Sequence, residues 1–195
     1  MLRTIRALLA SAILVVSLPL AATPADKDDE MVENPMYAHW AKFKPGATAT
    51  VHEKTTYSGE KLPVPDEKTV TYRLVSVSDD KVVVSSVVVE QEVFGTVESS
   101  PSRHTYPAKL KKSYIEAAVP ELKAKKGEET IKWKDEELKC KTLSGSYKKG
   151  GEDVTFKFWI NEKVPGGFVK RERTLKQKDD TITTTATLQS FSDGK

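Results

Sequence analysis

The chain has 195 residues, with 31 Lys+Arg against 28 Asp+Glu, three His and one Cys. At about 100–200 residues per domain, that is one domain with or without a targeting segment. A single Cys excludes an intramolecular disulfide framework and a Cys-based zinc knuckle, and the lack of a second long apolar run excludes a polytopic membrane protein.

Residues 1–25 read as a secretory leader. Arg3 and Arg6 precede an apolar run at 7–18, followed by Pro19 and the small residues Ala21, Ala22 and Ala25. That is the order of n-region, h-region and cleavage region. As a helix the run covers about 18 Å, short of the roughly 30 Å of a bilayer core. Cleavage is expected after Ala22 or Ala25, with export to the periplasm or beyond and no membrane span left in the product. Loss of two Arg lowers the formal charge from +3 to +1 and leaves 25 Lys but only 4 Arg. Arg, more than Lys, makes bidentate phosphate and base contacts, so nucleic acid is not an expected partner.

Residues 26–33 are acidic and polar and read as a disordered lead-in. A single β-rich domain is expected over 34–195. It opens with Asn34 as a helix cap and Pro35 at the first helical position, and Pro45-Gly46 is a stop signal. Between them Met36, Trp40 and Phe43 share one helical face, which predicts a short helix over 35–44.

From Thr23 onward there are 40 Val, Ile and Thr residues against 8 Leu, a bias toward strand. Strands are expected at 48–57, 68–77, 81–93, 129–134, 137–147, 153–161, 167–175 and 181–191, with tight polar turns between them. Such spacing predicts an antiparallel meander without βαβ crossovers. Alternation along 153–161 sets Val154, Phe156, Phe158 and Ile160 on one face, with Thr155, Lys157 and Trp159 on the other. Along 181–191 the inner line is Ile182, Thr184, Ala186 and Leu188. Both strands predict one dry and one wet face, whereas valines on both faces of 81–93 predict cover on two sides. Three prolines interrupt 101–126, where 110–119 has room for a short helix. The fold class is mainly β: a curved antiparallel meander sheet, a half-barrel or incomplete barrel, with one or two short helices over its mouth. A closed up-and-down barrel is the alternative.

No catalytic constellation emerges, and no metal or cofactor is expected. His39, His52 and His104 lack any ligand spacing, and Ser144-Gly145-Ser146 is not a nucleophile elbow. Cys140 lies on the dry side of its strand, where a thiol is inert. The acidic pairs Asp79-Asp80, Glu128-Glu129 and Asp179-Asp180 read as solvated turns. The lysines between 109 and 126 make a solvated face or a contact to anionic lipid or polysaccharide. The candidate ligand-binding residues are therefore aromatic and apolar: Met36, Trp40 and Phe43 on a lid helix, with Phe156, Phe158 and Trp159 on a strand. Trp159 either packs under its hairpin or makes an exposed contact. Pro165, Gly166 and Gly167 form a candidate partner-facing hairpin.

The patterns KGEETIKW, ELKCKTLSG and VTFKFWINEKVPGGFVKRE, together with the opening NPMYAHWAKFKPG, resemble an uncharacterised group of exported bacterial proteins of the planctomycete type. That group shares a strand Cys and a W-x(4)-VPGG hairpin, and it implies no activity. More distantly, the strand count and mouth helices look like LolA-like lipoprotein-carrier half-barrels, which hold acyl chains between a curved sheet and covering helices. The resemblance implies a non-catalytic envelope protein with a hydrophobic or lipid-like ligand. The alternative is a solid-core interaction module that binds an envelope protein.

Overall fold

The computed structural model describes residues 30–58, 66–92, 95–114, 124–177 and 180–195. The leader, and with it the expected cleavage point, lies outside the described residues. The elements are β1 (Met31–Glu33), α1 (Pro35–Trp40), β2 (Thr48–Ser58), β3 (Asp66–Val77), β4 (Lys81–Glu92), β5 (Gly95–Glu98), β6 (Ser102–Pro107), β7 (Lys109–Lys111), β8 (Lys125–Trp133), β9 (Glu136–Lys149), β10 (Glu152–Ile160), β11 (Phe168–Gln177) and β12 (Asp180–Ser192).

Ten strands form one sheet in the order β5-β4-β3-β2-β12-β11-β10-β9-β8, with β6 alongside β4. Every pairing is antiparallel. Two meanders thus run outward, β2 to β6 and β12 back to β8, and the β2–β12 pairing joins them in the middle. The outer edges, β8 on one side and β5 with β6 on the other, are not hydrogen-bonded to each other, so the sheet is open: a half-barrel, not a closed barrel.

The helix begins as the sequence dictates. The Asn34 side chain accepts a hydrogen bond from the Met36 backbone N–H at 3.0 Å, and Pro35 occupies the first turn, where its missing N–H costs nothing. It ends at Trp40, four residues short of the expected stop. The Phe43 N–H already bonds the Trp40 carbonyl in a tighter turn, ahead of Pro45, which disfavours helix in the residue before it, and Gly46 at φ +97°.

Three further expectations are corrected. Met31–Glu33, inside the expected disordered lead-in, is β1, paired with β7. Neither strand has a local signal, and each depends on the other for its hydrogen bonds. Of the stretch 101–126, the described residues 101–114 are mostly extended: β6 and β7 lie in the region expected to be irregular, and a helical turn at 112–114 follows. Residues 115–119 of the expected helix lie outside the described residues. Finally, β4 is covered on one face only. Val82 and Val84 are buried under α1, while Val83, Val87 and Val89 are half-buried.

Two apolar clusters result. Trp40, Ala47, Leu74, Val82 and Val84 pack beneath α1. Ala49, Leu138, Cys140, Trp159, Val164, Val169 and Leu188 form the other, at the end of the β8–β12 meander. Trp133 closes the second: its indole N–H donates to the Leu188 carbonyl at 2.8 Å and its ring meets Phe191 at 5.2 Å. Because β8 and β12 are separated by three strands in the sheet, this contact requires the meander to curl on itself.

Candidate functional site

A cavity of about 240 Å³ lies between α1, the 161–167 turn and the sheet. Its roof is Pro35, Met36, His39 and Trp40 from the helix with Pro165 and Gly166 from the turn. Its floor comes from one face of β2, β3, β10, β11 and β12, because alternate residues of paired strands point the same way. Phe158, Arg171, Ala186 and Glu53 are successive cross-strand partners along one rung of that floor. Ala49, Val51, Val70, Ile160 and Phe168 supply apolar walls, and Tyr72 and Tyr106 close one side.

The roof is tethered by residues with no apolar signal. Asn34 donates from Nδ2 to the Pro107 carbonyl at 2.8 Å, fixing the helix start to the end of β6. The Tyr37 hydroxyl donates to the Ser78 carbonyl at 3.0 Å, on the β3–β4 turn. On the other side, Asn161 clamps the VPGG turn. Its Oδ1 accepts from the Lys163 N–H and its Nδ2 donates to the Lys139 carbonyl, both at 2.8 Å. Gly166 and Gly167 both adopt φ +75°, a conformation that side chains resist, and both press against the helix, Gly166 on Trp40 and Gly167 on His39.

The floor carries a buried charge group. Arg171 donates from Nη2 to Glu53, and Lys68 meets the other Glu53 oxygen at 3.2 Å. The side chains of Glu53 and Arg171 are 4% and 10% exposed. The Arg171 Nε–H, also buried, has no hydrogen-bond partner, and an unmade buried bond of this kind costs about 1–3 kcal/mol. Burial drives the Tyr72 phenol pKa well up, against a smaller opposing pull from Arg171, so the group is neutral. His39 is pushed the other way: burial, then the Lys42 charge, lowers its pKa, and its Nδ1 is also buried without a partner.

Of the aromatic and apolar candidates, the structure brings Met36, Trp40 and Phe158 together around the cavity, with Pro165 and Gly166. Phe43 instead packs on the cluster beneath α1. Phe156 lies one rung further along β10, its ring 5.5 Å from Phe158 and 6.2 Å from Tyr147. Trp159 points to the opposite face. It is buried there at 5% exposure, not on a wet face: its indole N–H donates to Glu129 at 2.8 Å, and Lys157 and Lys170 stack over its ring. Glu129, expected in a solvated turn, therefore sits within β8 as the acceptor for Trp159 and Lys157. Sequence reasoning missed Glu53, Arg171, Tyr72 and Tyr106. The available signal was a Glu and an Arg on the dry line of otherwise apolar-alternating strands.

No family model and no curated protein matches the chain. Two crystal structures show a slight likeness. One is a DUF1329 family protein from Desulfovibrio piger, 10% identical over 76% of this chain and 85% of that one, with a TM-score of 0.26. The other is a Vibrio parahaemolyticus domain provisionally described as outer membrane lipoprotein-sorting, 7% identical over 76% and 85%, with a TM-score of 0.24. At such TM-scores neither likeness carries an argument about fold or role.

Proposed function

We propose that this is an exported, non-catalytic protein that holds a hydrophobic, lipid-like ligand between α1 and the sheet. The observation behind the reading is the cavity itself. Its volume of about 240 Å³ exceeds the roughly 150 Å³ of an apolar void that takes up benzene. It lies close to the lower bound of about 300 Å³ for small-molecule sites. Its walls are mainly aliphatic and aromatic, and its roof is a six-residue helix held at its cap and its first turn by side-chain hydrogen bonds. The envelope location rests on the reading of residues 1–25 as a secretory leader. Among the described residues no helix is long and apolar enough to cross a membrane.

The rival reading, a solid module that meets a protein partner through Trp159 or the VPGG turn, needs those residues at the surface. Trp159, Val164, Pro165 and Gly167 are buried.

The test is native mass spectrometry of the protein purified without detergent, followed by solvent extraction. A stoichiometric extracted lipid or other amphiphile is expected, and Trp40→Ala should lose it. An empty protein that also takes up no fluorescent fatty-acid probe would overturn the reading. Retention unchanged by Trp40→Ala, with stability alone reduced, would overturn the role of the helix as lid.

A further inference from the structure

We infer that the cavity selects a single-chain amphiphile with a carboxylate head, and that Arg171 receives that head. This rests on the ligand-binding reading above and names the chemistry of the ligand. Arg171 is more than nine-tenths buried, lines the cavity and has one donor, Nε–H, without a partner. Glu53 takes a bond from Nη2 of the same guanidinium, but its carboxylate is shared with Lys68, so one negative charge is divided between two positive ones. Among the described residues, Glu53 is the one acid that lines the cavity.

A cationic head would meet Arg171 with like charge, and a neutral alkyl end would leave the buried Nε–H unsatisfied. An acceptor with negative charge satisfies both the donor and the surplus field, and charge-assisted bonds to Arg are the strong class of hydrogen bond. Tyr72 and Tyr106 border the same end as neutral phenols, which are further donors to an anion. The remaining walls, Val51, Val70, Phe158 and Ile160 among them, suit an alkyl chain. A volume near the lower limit for small-molecule sites fits one chain better than the two of a diacyl lipid.

The test is calorimetric titration of the detergent-free protein, stripped of any resident ligand, with decanoate, 1-decanol and decyl phosphate. Decanoate should bind at least about tenfold tighter than decanol, the gain of one charge-assisted bond. In Arg171→Gln that ratio should fall toward one while decanol binding is retained. Arg171→Lys, which keeps a charge for Glu53 but lacks Nε, is the second variant if the first does not fold, and it should also reduce the ratio. Equal binding of decanoate and decanol to the unaltered protein would overturn the inference and leave the lipid-binding reading intact. Tighter binding of decyl phosphate than of decanoate would overturn the carboxylate assignment. Binding of none of the probes would overturn inference and reading together.

Discussion

Gly166 lies against the indole of Trp40 so closely that a Cβ added to it would stand 2.8 Å from Cε2 and Cζ2 of the ring. Two constraints meet at this glycine. Its φ of +75° is disfavoured for any side chain, and the ring it touches is 3% exposed and cannot swing into solvent without opening the helix roof. Gly166→Ala should therefore cost more than the about 1–3 kcal/mol that a strained positive φ costs alone. The check is urea denaturation of Gly166→Ala beside Gly150→Ala. Gly150 has φ +61° but open space around its Cβ position, so it reports the backbone strain without the clash. Equal losses at the two sites would mean that the contact with Trp40 is not rigid.

Much of the frame around that contact is legible in the sequence, because it depends on local rules. Alternation separates Phe158 from Trp159, Asn34-Pro35 starts the helix, and the β-branched bias with polar turns gives the eight long strands of the meander. The remainder depends on partners distant in the chain. β1 and β7 exist only as a pair, and the exposed β5 and β6 hold their places by bonding to β4. The candidate site divides in the same way. Its aromatic half follows from apolar periodicity, whereas its polar half consists of a Glu and an Arg 118 positions apart that meet through the β2–β12–β11 ladder. Trp159 is misplaced by alternation alone. Its neighbours Lys157 and Lys170 look like a wet face, yet they cover the indole and help to bury it.

The charge group on the floor should behave as a unit. Glu53→Gln leaves Arg171 and Lys68 without their shared acid, and breaking a buried pair of this sort costs about 3–5 kcal/mol. Replacing all three with apolar residues, Glu53→Leu with Lys68→Met and Arg171→Met, removes the desolvation cost along with the attraction, so most of that loss should return. Chemical denaturation of the single and triple variants measures the difference. A triple variant less stable than Glu53→Gln would show that the group holds the sheet together by more than mutual compensation.

Cys140 is 2% exposed and its thiol donates weakly to the Leu138 carbonyl at 3.5 Å. Burial, with a smaller contribution from the Glu129 charge, raises its pKa, so little thiolate is present at neutral pH. Native protein should not react with a thiol-specific reagent such as DTNB, whereas unfolded protein should titrate one thiol. Cys140→Ser places a hydroxyl among Leu138, Val164 and Val169 and should cost about 1–3 kcal/mol. Rapid labelling of the folded protein would instead show that the β8–β9 edge opens readily.

His39 ties the roof to pH. Its ring lies against Gly167, where an added Cβ would fall 2.8 Å from Nδ1, and that nitrogen is buried without a partner. Burial first, then the positive charge of Lys42, lowers its pKa, opposed in part by the Glu162 carboxylate; the more weakly felt charges of Lys141 and Glu33 lower and raise it in turn. Because the folded value is below the unfolded value of about 6.5, the unfolded chain takes up the proton first as pH falls. The stability contributed by neutral His39 is thus intact above that pH and is lost as pH drops through the folded value. His39→Phe keeps a ring against Gly167 and removes the titration. The urea midpoint should fall between about pH 7.5 and pH 5.5 in the unaltered protein and fall less in His39→Phe. A lid loosened in this way should also release its ligand faster at the lower pH, and dissociation of the fluorescent fatty-acid probe at the two pH values measures that directly. Equal pH dependence in the two proteins would place the acid sensitivity elsewhere than in the contact between α1 and the VPGG turn.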